Sequence, residues 1–147
     1  MKKFHYRLQR ILSVKRTLKK QAQKALAKSQ NERNSQKRTL ENLERELVER
    51  LTAEKTSRRD KLDLHHLNLY HGYISQLKFM ILNQRQLLAN AEKDVEEKRE
   101  KLVEASREEK KYARLKEIRK EEYTRELELA LQKETDEFAK NVHRLNK

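Results

Sequence analysis

The sequence predicts an all-α protein in which two long helices fold back on each other as an antiparallel coiled-coil hairpin. Three observations lead there. Charged residues make up 41% of the 147 and aromatics 5%, too little apolar material for a globular core but enough for a helix with a single apolar seam. Proline is absent and the one glycine is Gly72, whereas a disordered linker usually carries both and an uninterrupted helix excludes them. In both halves the apolar positions step by three and four, the period of a helix seam. A single coiled-coil domain is expected over 1–147, with helix 1 at about 3–57, a turn at about 58–63 and helix 2 at about 64–145.

In the first helix the seam reads Leu8, Ile11, Lys15, Leu18, Ala22, Leu26, Ser29, Arg33, Gln36, Leu40, Leu43, Leu47. Two consecutive steps of four at Leu18, Ala22 and Leu26 predict a stutter, a local unwinding of the supercoil. The stretch from Lys55 to Lys61 is polar all round and holds weak helix formers, and Asp63 is placed to cap the next helix. The second seam reads Leu67, Ile74, Leu77, Ile81, Gln84, Leu88, Ala91, Val95, Lys98, Leu102, Ala105, Glu109, Tyr112, and its phase is expected to slip near Leu115 and Ile118. Gly72 falls inside this helix, where it is either tolerated at a cost of up to about 1 kcal/mol or admits another backbone.

Folding the chain at about residue 60 sets Leu47 near Ile74, Leu40 near Ile81, Leu26 near Val95 and Leu18 near Leu102, all in one antiparallel register. At 1.5 Å per residue the helices would run roughly 80 and 120 Å, leaving about 25 C-terminal residues overhanging without a partner. Such a hairpin satisfies itself and is expected to be monomeric on its own. Polar seam residues (Lys15, Ser29, Arg33, Lys98, Glu109) weaken the half near the termini while helping to set its register.

The formal net charge is +13, and residues 1–62 hold 19 Lys and Arg against 7 Asp and Glu. The first acid is Glu32. A basic front half suggests an acidic partner: a protein surface, nucleic acid or anionic lipid. A basic coiled-coil module binding nucleic acid is therefore one alternative function, and a purely structural homo-oligomeric coil is another. Against phosphate binding, the basic run from Lys2 to Lys28 flanks a seam and carries no interleaved aromatics beyond Phe4 and Tyr6. No cysteine is present, which excludes disulfides and thiol chemistry. His65, His66 and His71 are spaced by one, five and six, so none forms the i, i+4 pair that zinc takes on a helix. With no phosphate-cradling Gly-rich loop and no pocket expected, neither catalysis, a cofactor nor a metal is anticipated. The opening Met1-Lys2-Lys3-Phe4 could begin a signal peptide, but Arg7, Arg10, Lys15 and Arg16 interrupt any apolar region after it. No stretch approaches the roughly 20 apolar residues that span a bilayer, so a cytoplasmic protein is expected.

Residues 65–91 contain no acid and only Lys78 and Arg85 as formal cations. Beside the seam, Tyr73, Met80 and Leu87 recur seven apart, and Phe79 and Leu82 point away from it. A belt wider than one seam suggests a partner surface, with a broadly packed hairpin end as the plainer explanation.

The opening Phe4-His5-Tyr6-Arg7-Leu8-Gln9-Arg10-Ile11-Leu12 resembles the start of FliJ proteins, coiled-coil components of the bacterial flagellar type III export apparatus. The resemblance continues at Ala22 to Gln30, in Leu69-Tyr70-His71-Gly72-Tyr73-Ile74-Ser75-Gln76-Leu77, and in Glu134-Thr135-Asp136-Glu137-Phe138-Ala139. It implies a two-helix coiled coil that binds and stimulates the hexameric export ATPase. It also implies binding to the cytoplasmic domain of the membrane export gate, recycling of export chaperones, and peripheral association with the inner face of the cell membrane at the flagellar base. By position, gate binding carries over to Leu43, Glu46, Arg50, Tyr73, Leu77, Met80 and Gln84, although Glu46, Arg50 and Gln84 depart from the aromatic and aliphatic character of that surface. With such a partner, the basic end bearing the termini would contact the ATPase ring through Phe4, Tyr6, Arg7, Arg10, Ile11, Lys15 and Phe138.

Overall fold

The computed structural model describes residues 2–57 and 64–147, so the expected turn at 58–63 and the cap at Asp63 lie outside the described residues. Two helices account for nearly all the rest: α1, Gln9–Ser57, and α2, Leu64–Leu145. No strand occurs among the described residues. The chain divides into two compact units, one of Met1–Lys20 with Val103–Lys147 and one of Gln21–Leu102, and in each an α1 segment pairs with an α2 segment.

In the Gln21–Leu102 unit the pairing is antiparallel and its register is set by long-range bonds. The Tyr70 hydroxyl donates to the Arg50 carbonyl at 3.2 Å, the Gln84 amide to the Gln36 carbonyl at 3.0 Å, and the Ser29 hydroxyl to Asp94. These put Leu40 at the level of Ile81, Leu47 near Ile74 and Leu26 near Val95, the register read from the seams. Ile74, Leu77, Ile81 and Val95 are buried, and Leu40, Leu43 and Leu47 are half-buried. Each such side chain contributes about 1.5–3 kcal/mol when fully removed from water. Ser29 and Gln84 are the polar residues buried among them, and both are hydrogen-bonded. A Cβ built on Gly72 would meet nothing within 4 Å, so no other backbone approaches there among the described residues.

The Met1–Lys20 and Val103–Lys147 unit is also antiparallel but is closed differently. Leu12 is completely buried and Tyr6 is 6% exposed. Around them lie ion pairs of Lys15 with Glu108 at 3.6 Å and of Arg16 and Lys19 with Glu109 at 3.6 and 3.8 Å. Every residue after Leu127 is exposed.

Four local readings change. Helix α1 starts at Gln9 rather than near residue 3, because Phe4 and Tyr6 dock on α2 instead of continuing the helix. The seam runs Leu12, Lys15, Lys19, Ala22, Leu26, Ser29, all buried or half-buried, so no stutter is needed. Ile11 and Leu18 are its exposed neighbours. Lys19 fills a seam position by laying its methylene stem inward while its ammonium reaches Glu109. On α2 the expected slip holds only in part: after Tyr112, Leu115 and Lys116 are both half-buried, but Ile118 is exposed and the next half-buried residue is Tyr123.

Candidate partner-binding surfaces

One candidate surface flanks the seam of the Gln21–Leu102 unit. Heptad spacing places Tyr73 and Met80 one above the other on α2, beside the buried row of Ile74, Leu77 and Ile81. Tyr73 is 37% exposed and donates its hydroxyl to Glu46 of α1. The Arg50 guanidinium sits over its ring, 5.0 Å from the centroid, in cation–π geometry. The hydrogen bond to Glu46, then burial and the nearby carboxylate charge, hold the Tyr73 phenol above its ordinary pKa, and Arg50 opposes them. Glu46, Arg50 and Tyr73 thus form one cluster, continued along α1 by a shallow groove of about 520 Å³ past Asn42, Arg45 and Glu49.

Of the seven residues carried over for gate binding, the structure gathers Glu46, Arg50 and Tyr73, with Met80 exposed on the same flank and Leu43 half-buried within the seam. Leu77 and Gln84 do not share that surface. Leu77 is 3% exposed in the seam, and Gln84 is buried with its amide on Gln36. Phe79, Leu82 and Leu69, each more than half exposed, widen the apolar character of α2 on faces turned from the seam.

A second candidate surface belongs to the unit holding both termini. Tyr6 donates its hydroxyl to the Tyr112 carbonyl at 3.0 Å, Phe4 meets the Tyr123 ring at 5.6 Å, and the Tyr123 hydroxyl donates to the Lys2 carbonyl. A cleft of about 530 Å³ remains between this segment and α2, bordered by Arg7, Arg119, Glu122 and Glu126. Lys15 is half-buried, its ammonium 5.9 Å from the Tyr112 ring centroid and paired with Glu108. Arg7, Arg10 and Ile11 are exposed beside it. Phe138 is 71% exposed on the end of α2, where no side chain is buried. Phe4, Tyr6 and Lys15 are therefore brought together on Tyr112 and Tyr123, and Phe138 is not joined to them.

Sequence reasoning missed the receiving side of this contact. Tyr112 was placed on the seam, but nothing marked Tyr123 as the landing point of residues far away in the chain; two aromatics near heptad phase were the only signal. It also missed Asp94, whose pKa is lowered first by the Ser29 hydroxyl bond and then by Lys98 and Lys101, against the opposing effect of burial. Among the described residues no three His, Cys, Asp or Glu side chains converge as a metal site. No helix among them is long and apolar enough to cross a membrane.

Comparison with known proteins agrees with this geometry. The family described as flagellar FliJ protein matches residues 4–147. Among solved structures, that of a putative YscO homolog from Chlamydia trachomatis aligns with a TM-score of 0.61 at 19% identity, covering 99% of this chain and 98% of that one. At that identity the likeness is one of fold. No curated protein sequence matches this one.

Proposed function

The chain belongs to the FliJ family of flagellar type III export components, and from that premise we propose that it binds and stimulates the hexameric export ATPase, links it to the cytoplasmic domain of the membrane export gate, and helps recycle export chaperones. It works by binding rather than by chemistry of its own, as a monomer held at the inner face of the membrane at the flagellar base. The unit with both termini engages the ring, and the Gln21–Leu102 unit engages the gate. The observation that carries this reading is the family match over nearly the whole chain.

Two features of the molecule support the division of labour. The flank of Glu46, Arg50, Tyr73 and Met80 couples an exposed aromatic and a thioether to a pair of charges, the mixed composition of an interface anchor. Around the termini, Arg7 and Arg10 stand exposed and can steer the protein toward an acidic surface. Lys15, Arg16 and Lys19 are already paired with Glu108 and Glu109, which favours a protein partner over a phosphate backbone.

ATP turnover by the export ATPase, titrated with variants at low and moderate salt, tests the reading. Reversing Arg7, Arg10 and Lys15 to Glu should abolish stimulation while gate binding persists. Because Lys15→Glu also faces Glu108, the double variant Arg7→Glu/Arg10→Glu isolates the steering effect and should weaken stimulation by itself. Full stimulation by the triple variant would move the ring contact elsewhere. Conversely, Tyr73→Ala or Met80→Asp should weaken gate binding by about 1–3 kcal/mol without loss of helicity. Unchanged gate affinity in both would leave that flank as hairpin packing only.

A further inference from the structure

The conformation of residues 2–8 runs against their own sequence. Nothing between Lys2 and Leu8 is glycine or proline, and no residue there breaks a helix, yet α1 begins only at Gln9. That beginning is poorly built. Leu8 occupies the cap position, its carbonyl accepting from the Leu12 amide at 3.0 Å while the Gln9 amide donates to the Tyr6 carbonyl at 3.1 Å, and its side chain offers no acceptor to the next amides, those of Arg10 and Ile11. The first turn contains no acid and does contain Arg10, a cation at the positive end of the helix dipole. The Gln9 Oε1 atom is buried without a hydrogen-bond partner, an uncompensated desolvation. A helix begins here because the preceding segment is held elsewhere.

What holds it is three aromatic contacts to α2: Tyr6 to the Tyr112 carbonyl, Phe4 to the Tyr123 ring, and Tyr123 to the Lys2 carbonyl. The fit is incomplete: Tyr6 is buried but Phe4 only half-buried, and a solvent-open cleft of about 530 Å³ borders the contact. An imperfectly filled contact opposed by a poorly capped helix start is a balance between two arrangements of the same residues. We propose that residues 2–8 form an autoinhibitory strap: docked on α2 they withhold Phe4 and Tyr6 from a protein partner, and on release residues 3–8 join α1 and present both side chains. The inhibitory consequence rests on the assignment of this unit to the ATPase ring; the strap itself does not.

Carbon chemical shifts of residues 3–8 in the full chain read the strap directly. Wild type should show non-helical values, and Tyr123→Ala should move them to helical ones. Tyr123→Phe, which removes only the hydroxyl bond to Lys2, should shift them part of the way without disturbing the seam. Helical shifts already in wild type would overturn the strap, as would docked or coil values that persist in Tyr123→Ala. In the ATPase titration, Tyr123→Ala should reach half-maximal stimulation at about tenfold lower concentration, the gain expected if roughly a tenth of wild type is released. Adding Phe4→Ala and Tyr6→Ala should cancel that gain. Unchanged or weaker stimulation by Tyr123→Ala overturns the inhibition. If wild type itself fails to stimulate, the ring assignment is what fails, and the chemical shifts still decide the strap.

Discussion

The two units close the same kind of helix pair with different materials. In the Gln21–Leu102 unit, Ile74, Leu77, Ile81 and Val95 are buried in an α2 row continued by half-buried Leu88 and Ala91, and the buried polar groups among them, Ser29 and Gln84, have partners. In the unit with the termini, burial is confined to Leu12 and Tyr6, and ion pairs of Lys15, Arg16 and Lys19 with Glu108 and Glu109 flank the contact. Partly exposed pairs of that kind are each worth about 0–1 kcal/mol and are screened by salt. The cohesion of the Gln21–Leu102 unit, where the one cross-helix ion pair among the described residues joins Arg85 to Glu44, is therefore mainly hydrophobic, whereas the other is more charge-laced and is expected to open first. Segments that rearrange on binding come from the less stable parts of a fold, which fits the strap lying where it does.

The largest expected effect lies in the apolar row. Leu77→Ala should cost about 2–5 kcal/mol in denaturant unfolding, because it removes a nearly fully buried side chain from a narrow seam. A loss below about 1 kcal/mol would mean that this unit is not held by its seam. Gln84→Leu should be neutral or stabilising, within about 1 kcal/mol, since a polar seam residue sets register at some cost in stability. A loss of several kcal/mol would make the Gln84–Gln36 bond a principal support. Amide exchange along α2 should show residues 103–115 opening sooner than residues 74–95, and moderate salt should widen the gap by weakening the Glu108 and Glu109 pairs. Equal protection in the two stretches would erase the contrast.

The smallest effect is a pH dependence. The Asp94 carboxyl is held below its ordinary pKa in the fold, first by the Ser29 hydroxyl. Its ionised form therefore adds stability that is present above the ordinary carboxylate pKa and is lost as pH falls through the lowered folded value. Melting temperatures of wild type and Ser29→Ala should differ near neutral pH and converge in acid. A constant gap across that range would assign the effect of Ser29 to packing instead.

How far the sequence reaches depends on the distance over which each property is decided. Helix type follows from local composition and period, so two helices without strand, and an antiparallel register in which Leu40 meets Ile81, could be read from the chain. Where two adjacent residues compete for a seam position, apolarity alone chose wrongly: Leu18 was preferred to Lys19, and Ile11 to Leu12. The structure seats Lys19 because its stem is apolar and Glu109 receives its charge, a pairing across helices that periodicity does not contain. The same limit affected the candidate surfaces. The exposure of Tyr73 and Met80 was legible because they stand beside a regular seam, but Leu77 and Gln84 lie within it, so resemblance by position did not separate outward from inward. Helical propensity extended α1 to residue 3, and only the docking of Phe4 and Tyr6 on side chains more than a hundred residues away ended it at Gln9. The sequence by itself determined the helices, their direction and their register, because these repeat along the chain. The tertiary structure decided which neighbours face inward and where α1 begins, because those choices depend on partners that the local pattern does not encode.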